Sequence, residues 1–521
     1  MFDFWQKQLL SPYTGLSYAE THYKFKLPWS PLFKKWPEIF IDAPRFCLPD
    51  STPPLYLVIK DAHWFPVTIK SVSLNIHGPG GLNTTLEFNL NLKVNEQVSF
   101  TSLDYILPSL PGSYRINAHI KIEKQGGKTL SVFNSNFPGL PFDPLSIERL
   151  DCSLPYPEDW KAGELHCHSE YTHNPVEFGA PLTVLQAAAK ALGLGYVVVT
   201  DHSYDFYYQG KDYMVPTNPE EKWEQYISDV HALNNNKDGS PLFIPGEEVS
   251  CGNYNNKNIH LLVMGHPNFI PGLGDGGRRW FNNKPDLTLA QALEIIQDIP
   301  CFGAHPKIQM SGAEKFIFRR NHWNSADIKS KNNIPNITGL QFWNGFRGKE
   351  FSMGRSFWVQ QLLEGHKLIP AAGNDAHGDL NRHTGIKIPL FSLYHSMNHV
   401  LGQVRTLVRD SCTSIESVQQ SLRNGTQICT DGPFLFIEQS NGKLHLTAQS
   451  IPWFGSLNRI HIFSGKTGDP REIIVKSWKL SSNEYSLEKS IDIPSGINYI
   501  RAEAWTQKER LAITSPIFFD S

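Results

Sequence analysis

The chain has 521 residues, with 48 lysines and arginines against 50 aspartates and glutamates, for a formal net charge of -2. A charge so near zero and so evenly scattered argues against a nucleic-acid or anionic-membrane footprint, and the length is too great for one core, so about two to four domains are expected. The N-terminal "MFDFWQKQLLSPYTG" has no basic stretch leading into an apolar one, and no window is apolar enough for a bilayer span, which points to a soluble, cytoplasmic protein with a small-molecule substrate.

In chain order, residues 1–150 read as an N-terminal β-sandwich domain. Leu86, Phe88, Leu90 and Leu92 alternate in "TLEFNLNLKV", as do Ile116, Ala118, Ile120 and Ile122 in "RINAHIKI", the period-two pattern of half-buried antiparallel strands. A proline-punctuated linker, "FPGLPFDPLSIERLDCSLPYPEDW", then gives way over residues 160–400 to repeated apolar strand, loop and helix, which predicts parallel α/β architecture. "PLTVLQAAAKALGLG" places Leu182, Leu185, Ala189 and Leu192 on one helical face between Pro181 and Gly193 and predicts a helix. The uninterrupted "YVVVT" predicts a strand buried on both faces. Further helices are predicted over Pro219–Leu233, Leu287–Ile299 and Gly354–Gly365, with strands ending near "LFIPGEE", "CFGAHP", "ITGLQFWNG" and "LIPAAGNDAH". After a last helix at "SIESVQQSLRNG", alternation resumes in "KLHLTAQS" and "INYIRAEAW", and residues 428–521 read as a C-terminal β-sandwich domain.

The 7 cysteines are widely spaced, odd in number and without a C-x-x-C pair, which is neither a disulfide framework nor a thiolate zinc site. Histidine carries the chemistry instead. "GELHCHSEYTH" holds His166, His168 and His173, and further candidates are Asp201 and His202 in "TDH", Glu248 in "PGEEVS", His260, His305 in "GAHP", and Asp375 and His377 in "GNDAHG". Most follow a predicted strand, and in a parallel barrel such strand ends converge on one mouth. On an extended segment H-x-H points both imidazoles the same way, as a chelate does. Imidazoles with a few carboxylates suit divalent transition metals, Zn, Mn or Fe, and there are more candidates than one tetrahedral ion uses, so two or three ions are expected. Adjacent ions of this kind can bridge a hydroxide and polarise the bond it attacks.

The ordered set "ELHCHSEYTH", "VVVTDH", "PGEEVS", "GAHP" and "AAGNDAHG" resembles the successive motifs of the PHP (polymerase and histidinol phosphatase) superfamily, over Gly163 to Arg382. The resemblance implies an α/β fold, a distorted (β/α)7 barrel holding two or three metals, here flanked by the two β-sandwiches. The preceding sandwich and the trailing "LRNGTQICTDGPF" are most similar to the CehA/McbA group of metallohydrolases, which includes carbamate-ester hydrolases. Carried onto matching positions, it implies His166, His168, His202, Glu248, His305, Asp375 and His377 as ligands, Glu248 bridging two ions, and His260 as a further one. The pattern departs at His173 and Glu164, where the family commonly has aspartate. We expect His173 to reach across the mouth and join His202 and His377 around a separate ion.

Asp201 and His377 are the catalytic candidates, Asp201 by orienting a ligand or shuttling a proton. Lys307, Asn344, Arg347 and Arg382 follow strand-end motifs as anchors for an anionic substrate, against plain surface solvation. "GLGDGG" formally fits G-x-G-x-x-G but lies outside a strand-to-helix turn, so a dinucleotide site is rejected; with Arg278, Arg279 and Trp280 it is either a lid or a surface insertion. The expectation is a hydrolase in which a metal-bridging hydroxide cleaves a phosphoester or a carboxylic or carbamic ester. The competing reading is a binding or scaffold protein with a vestigial metal site.

Overall fold

The computed structural model describes residues 36–519 other than 61, 64, 135–143, 174–177, 210–211, 236–238, 277–282, 311, 330–336, 382–386, 389–390 and 393–398. In the N-terminal region the alternating apolar residues meet between two sheets. One contains Glu38–Asp42, Tyr56–Lys60 and Val98–Ser102, and the other is built on the hairpin of Val67–His77 and Asn83–Val94 with Gly112–Lys124 beside it. Ile39, Leu57 and Ile59 of the first face Ile69, Leu74, Ile116 and Ile120 of the second in a core of their own. Leu86, Phe88, Leu90 and Leu92 are only half-buried because their strand is the sheet's edge.

The central region is a run of seven strands in spatial order β1 (Lys161–His168), β2 (Tyr196–His202), β3 (Leu242–Gly252), β4 (Asn258–Met264), β5 (Cys301–Ala304), β6 (Gly339–Asn344) and β7 (Ile369–Gly373). Neighbours are parallel from β1 to β3 and from β5 to β7, but β4 is antiparallel to both strands beside it. This departs from the all-parallel expectation. The turn between β3 and β4 is far too short for a parallel crossover, which needs roughly a dozen residues or more.

Helices α1 (Leu182–Ala191), α2 (Pro219–Asn234), α3 (Leu289–Ile296) and α4 (Lys349–Leu363) cover the outer face. The predicted stripe on α1 is buried: Leu182, Leu185, Ala189 and Leu192 are at most 4% exposed. Burying each leucine contributes about 1.5–3 kcal/mol. On the other face Leu165, Val198, Ile244, Leu262, Phe302 and Ala371 meet in one interior, stoppered by Val418 and Leu422 of α5 (Ile415–Asn424).

The sheet curls until β7 reaches β1. The N–H groups of Asn374 and Asp375 donate to the His166 carbonyl at 3.2 and 2.6 Å, and β8 (Ala376–His377) pairs in parallel with the end of β1. Glu164, buried beneath, accepts from the N–H groups of His166 (3.1 Å), Asn374 (2.9 Å) and Gly402 (3.1 Å), and from the Asn374 side-chain amide. This carboxylate therefore ties the strand of the first histidines to the loop carrying Asp375.

On the other side of β1 the sheet continues through β9 (Arg405–Val408) and β10 (Ile428–Thr430) to Leu511–Thr514, making one sheet of 15 strands. The boundary expected at residue 428 is thus no break in the hydrogen-bonded ladder. The C-terminal region is nonetheless layered: Leu435, Leu444 and Leu446 of a 3-stranded sheet pack on Ile460, Ile462 and Ile500 of the large one. No helix among the described residues is long and apolar enough to cross a membrane.

The N-terminal sandwich grips the segment that follows His377. Asp42 Oδ2 accepts from the N–H groups of Leu380 (2.9 Å) and Asn381 (3.4 Å), and the Asn381 amide donates to the Ser146 carbonyl at 2.8 Å. Asp42→Ala leaves buried N–H groups without this acceptor, at about 1–3 kcal/mol for each. Urea denaturation followed by tryptophan fluorescence should show a lowered midpoint for Asp42→Ala and a smaller loss for Asp42→Asn, which keeps an acceptor oxygen.

Candidate metal centre

The centre is built from strand ends. β1 has a register shift between Glu164 and Cys167, and His166 within it and His168 just past it both turn toward Glu248 and Asp375. His166 Nε2 lies 3.2 Å from Glu248 Oε2 and 3.4 Å from Asp375 Oδ1; His168 Nε2 lies 3.4 and 3.2 Å from the same two atoms. Ligands about 2.0–2.1 Å from a tetrahedral ion stand about 3.3–3.4 Å from each other, and these four nitrogen-to-oxygen separations match that spacing. Hydrogen bonding alone fits less well, because one Nε2 carries one proton and here faces two carboxylates.

Alternation along β3 sends Glu248 among the imidazoles and Glu247 to the other face, where it accepts from the Ile270 N–H at 3.1 Å. Glu248 Oε2 is also 3.1 Å from His202 Nδ1, and its Oε1 is 2.5 Å from His260 Nδ1 and 3.1 Å from His305 Nε2. Three groups of ligand atoms result: His166, His168, Glu248 and Asp375; Glu248, His260 and His305; and His168, His202 and His377. Glu248 belongs to two of them, as a bridging carboxylate would. The donor set of imidazoles with two carboxylates fits Zn, Mn or Fe, which these residues would hold.

The surroundings decide which nitrogen of each histidine is offered. His168 Nδ1 is 3.2 Å from Thr172 Oγ1, His377 Nδ1 is 3.1 Å from the Asp375 carbonyl, and His260 Nε2 is 3.0 Å from Asp275 Oδ2. An N–H donated on that side leaves the opposite nitrogen a lone pair for a cation. Asp375 is itself held by Asn344, whose amide donates to Oδ2 at 3.1 Å, and Asn344 is held by the Gln341 amide at 3.0 Å.

Charge follows the same plan. Burial alone would raise Glu248 and Asp375, but neighbouring imidazoles, His260 and His166 foremost, hold both carboxylates well below their ordinary range. Burial depresses His168 strongly, helped by His377 and His202, whose rings lie 4.1 and 4.4 Å from its own. Burial would also depress His260, yet Glu248 and Asp275 outweigh it and push it up to about 9.

No family model and no curated protein sequence matches this chain. Among solved structures it aligns with Bacteroides uniformis β-glucuronidase 2 at 12% identity, over 93% of this chain and 61% of that one, with a TM-score of 0.19. For Parabacteroides merdae β-glucuronidase the figures are 10%, 93%, 66% and 0.17. The chain spans less than two thirds of the length of either enzyme.

Asp201 does not face the cluster; its oxygens accept from the Ser169 N–H (2.8 Å), the Ser169 hydroxyl (2.6 Å) and the Thr172 N–H (3.0 Å). It fixes the loop whose Thr172 orients His168, so it acts at one remove from the chemistry. Asn344 holds Asp375. The Lys307 ammonium donates to the Trp323 carbonyl at 2.5 Å and sits 3.9 Å from the Phe357 ring centre. Arg347 pairs with Asp431 at 3.2 Å and donates to the Glu509 carbonyl, which joins the central region to the C-terminal one. Arg382, and Arg278, Arg279 and Trp280 of the suggested lid, lie outside the described residues. Thr172, Asp275 and Gln341 were missed, because nothing in their local sequence marks a side chain that bonds to a distant histidine or asparagine.

His173 also departs from expectation. Its Nε2 lies 3.0 Å from Gln97 Oε1 of the N-terminal sandwich, and the third imidazole beside His202 and His377 is His168. The short loop after β1 turns His173 outward to the neighbouring domain. His173→Ala should therefore bind as many ions per chain as the unaltered protein, and elemental analysis of the two side by side checks this.

Proposed function

We propose that the chain is a metal-dependent hydrolase acting on a phosphoester or a carboxylic or carbamic ester of a small molecule. One observation carries the reading: Glu248 is shared between two adjacent groups of ligand atoms, the arrangement a pair of neighbouring divalent ions needs. Such ions, when bound, supply an activated water and polarise the bond under attack. In this chain Glu248 would balance the charge of both positions, while Asp375, steadied by Asn344, would complete the position beside His166 and His168. Thr172 and the Asp375 carbonyl would keep His168 and His377 with a lone pair toward the cavity.

Only two carboxylates, Glu248 and Asp375, enter these groups, so two or three divalent ions would leave the centre net positive. That favours an anionic substrate, or an oxyanion developing during reaction. Since Lys307 and Arg347 are engaged elsewhere, the ions themselves would provide this attraction. The order of the sequence motifs resembling the PHP superfamily supports the same reading.

The test is turnover of aryl phosphates and aryl esters by purified protein, with and without added Mn or Zn, beside elemental analysis. Metal-dependent hydrolysis of one class is expected. Glu248→Ala should lose at least one ion per chain and lower kcat/KM by more than the roughly 10–100-fold typical of an outer partner. Bound metal without turnover on either class would overturn the hydrolase reading, and unchanged metal content in Glu248→Ala would overturn the role of Glu248.

A further inference from the structure

The glycine-rich segment "GLGDGG", which serves no dinucleotide, places one buried carboxylate behind the metal centre. A Cβ on Gly274 would stand 2.2 Å from Asn258 Oδ1, and one on Gly276 would stand 2.4 Å from the Tyr204 Cβ. Only glycine lets the segment lie this close to β4 and to the turn after β2. Leu273 bridges to Ser250 of β3 in parallel fashion, and Asp275 sinks until it is 3% exposed.

At that depth each Asp275 oxygen has a donor. Oδ1 accepts from the Ser250 hydroxyl at 2.5 Å, and Oδ2 accepts from Arg320 Nε at 2.5 Å and lies 3.0 Å from His260 Nε2. The far side of the same imidazole presents Nδ1 to Glu248 Oε1 at 2.5 Å, within the group that includes His305. An imidazole that gives one nitrogen to an ion is neutral, with a single N–H and two possible tautomers. The aspartate, held by Ser250 and Arg320, is an acceptor with no proton to give. It therefore draws the imidazole N–H to Nε2 and leaves the Nδ1 lone pair toward Glu248.

We infer that Asp275 is a positioning residue that fixes the orientation and tautomer of His260 and so sets the affinity of the metal position formed by Glu248, His260 and His305. This rests on the metal-centre reading above and deepens it, by assigning one position of the centre to a carboxylate delivered from the glycine-rich segment. The position formed by His166, His168, Glu248 and Asp375 has no contact with Asp275 among these bonds. Loss of Asp275 should therefore act on one ion and spare another.

The experiment is a titration of metal-stripped full-length protein with Zn2+ against a competing chelator, for the unaltered chain, Asp275→Ala and Asp275→Asn, each shown to be folded by circular dichroism. Co2+ absorption in the visible range is recorded on the same three proteins. Expected is a roughly 10–100-fold weaker affinity at one site in Asp275→Ala, with the tighter binding retained. Asparagine can present oxygen to His260 and Arg320 and donate to Ser250, so Asp275→Asn should recover part of the loss and alter the absorption of one Co2+ only. Should Asp275→Ala not fold, Ser250→Ala, which frees Oδ1 while keeping the carboxylate, is expected to weaken the same site several-fold. Unchanged affinities at every site in the folded variants would overturn the role of Asp275 and leave the metal centre standing. An unaltered chain that binds no Zn2+ would overturn the centre and this inference with it.

Discussion

A single buried carboxylate, Glu248, faces nitrogen atoms of His166, His168, His202, His260 and His305, each within 3.4 Å. Protons satisfy only part of such a cluster: His260, pushed up to about 9, can carry one. Charging all five imidazoles would crowd like charges into rings already 4.4 Å apart at His168 and His202, and leaving all of them neutral would strand the carboxylates in a dry interior. Divalent ions would meet both demands, since they bind neutral imidazole and offset carboxylate charge together. The rest of the structure can be read as the scaffold that makes this arrangement tolerable.

Two candidate ligands sit in backbone conformations that non-glycine residues seldom adopt. Asp375 has φ +54° and His305 φ +27°. Conformations of this kind cost about 1–3 kcal/mol each and persist where surrounding bonds over-determine them. Here the Asp375 N–H is tied to the His166 carbonyl at 2.6 Å, and the His305 N–H to the Gln341 side chain at 2.9 Å. Gln341 in turn grips Asn344, which holds Asp375, so one buried amide chain locks both strained ligands. Glu164 performs the complementary task at the other end of the curl by joining β1 to the loop after β7.

The flanking regions are integrated unequally. The C-terminal region shares a continuous ladder with the central strands, and Arg347 reaches it through Asp431 and Glu509. The N-terminal sandwich has its own core but also lends Phe40, Phe46, Tyr56 and Val58 to the apolar cluster of the central region, and it adds polar contacts, Asp42 with the segment after His377 and Gln97 with His173. Both of these polar contacts fall on loops adjoining candidate metal-site residues. The sandwich thus stands against the rim of the centre as a wall held by apolar packing and by these hydrogen bonds.

The residues that gather at the candidate centre could be picked out in the chain because residue type and strand geometry are local. H-x-H at His166 and His168 needs only strand geometry to aim two imidazoles one way, and the helix α1 needs only its own periodicity between Pro181 and Gly193. Which side chains support the ligands was not legible. Asp275, Gln341 and Thr172 act on partners brought near by sheet curvature, and their bonds leave no periodic trace in sequence. The orientation of β4 was decided by a turn too short to cross over, and the continuity of β1 with β9 and β10 by the need to pair an open edge. His173 shows the limit most directly: its residue type and its place beside the ligands are identical in either role, and only the packing of the sandwich against the loop turned it toward Gln97. Sequence determines which atoms are available to ligate, through residue type and local period; tertiary packing decides which of them meet, because that depends on where chain segments far apart in sequence come to rest.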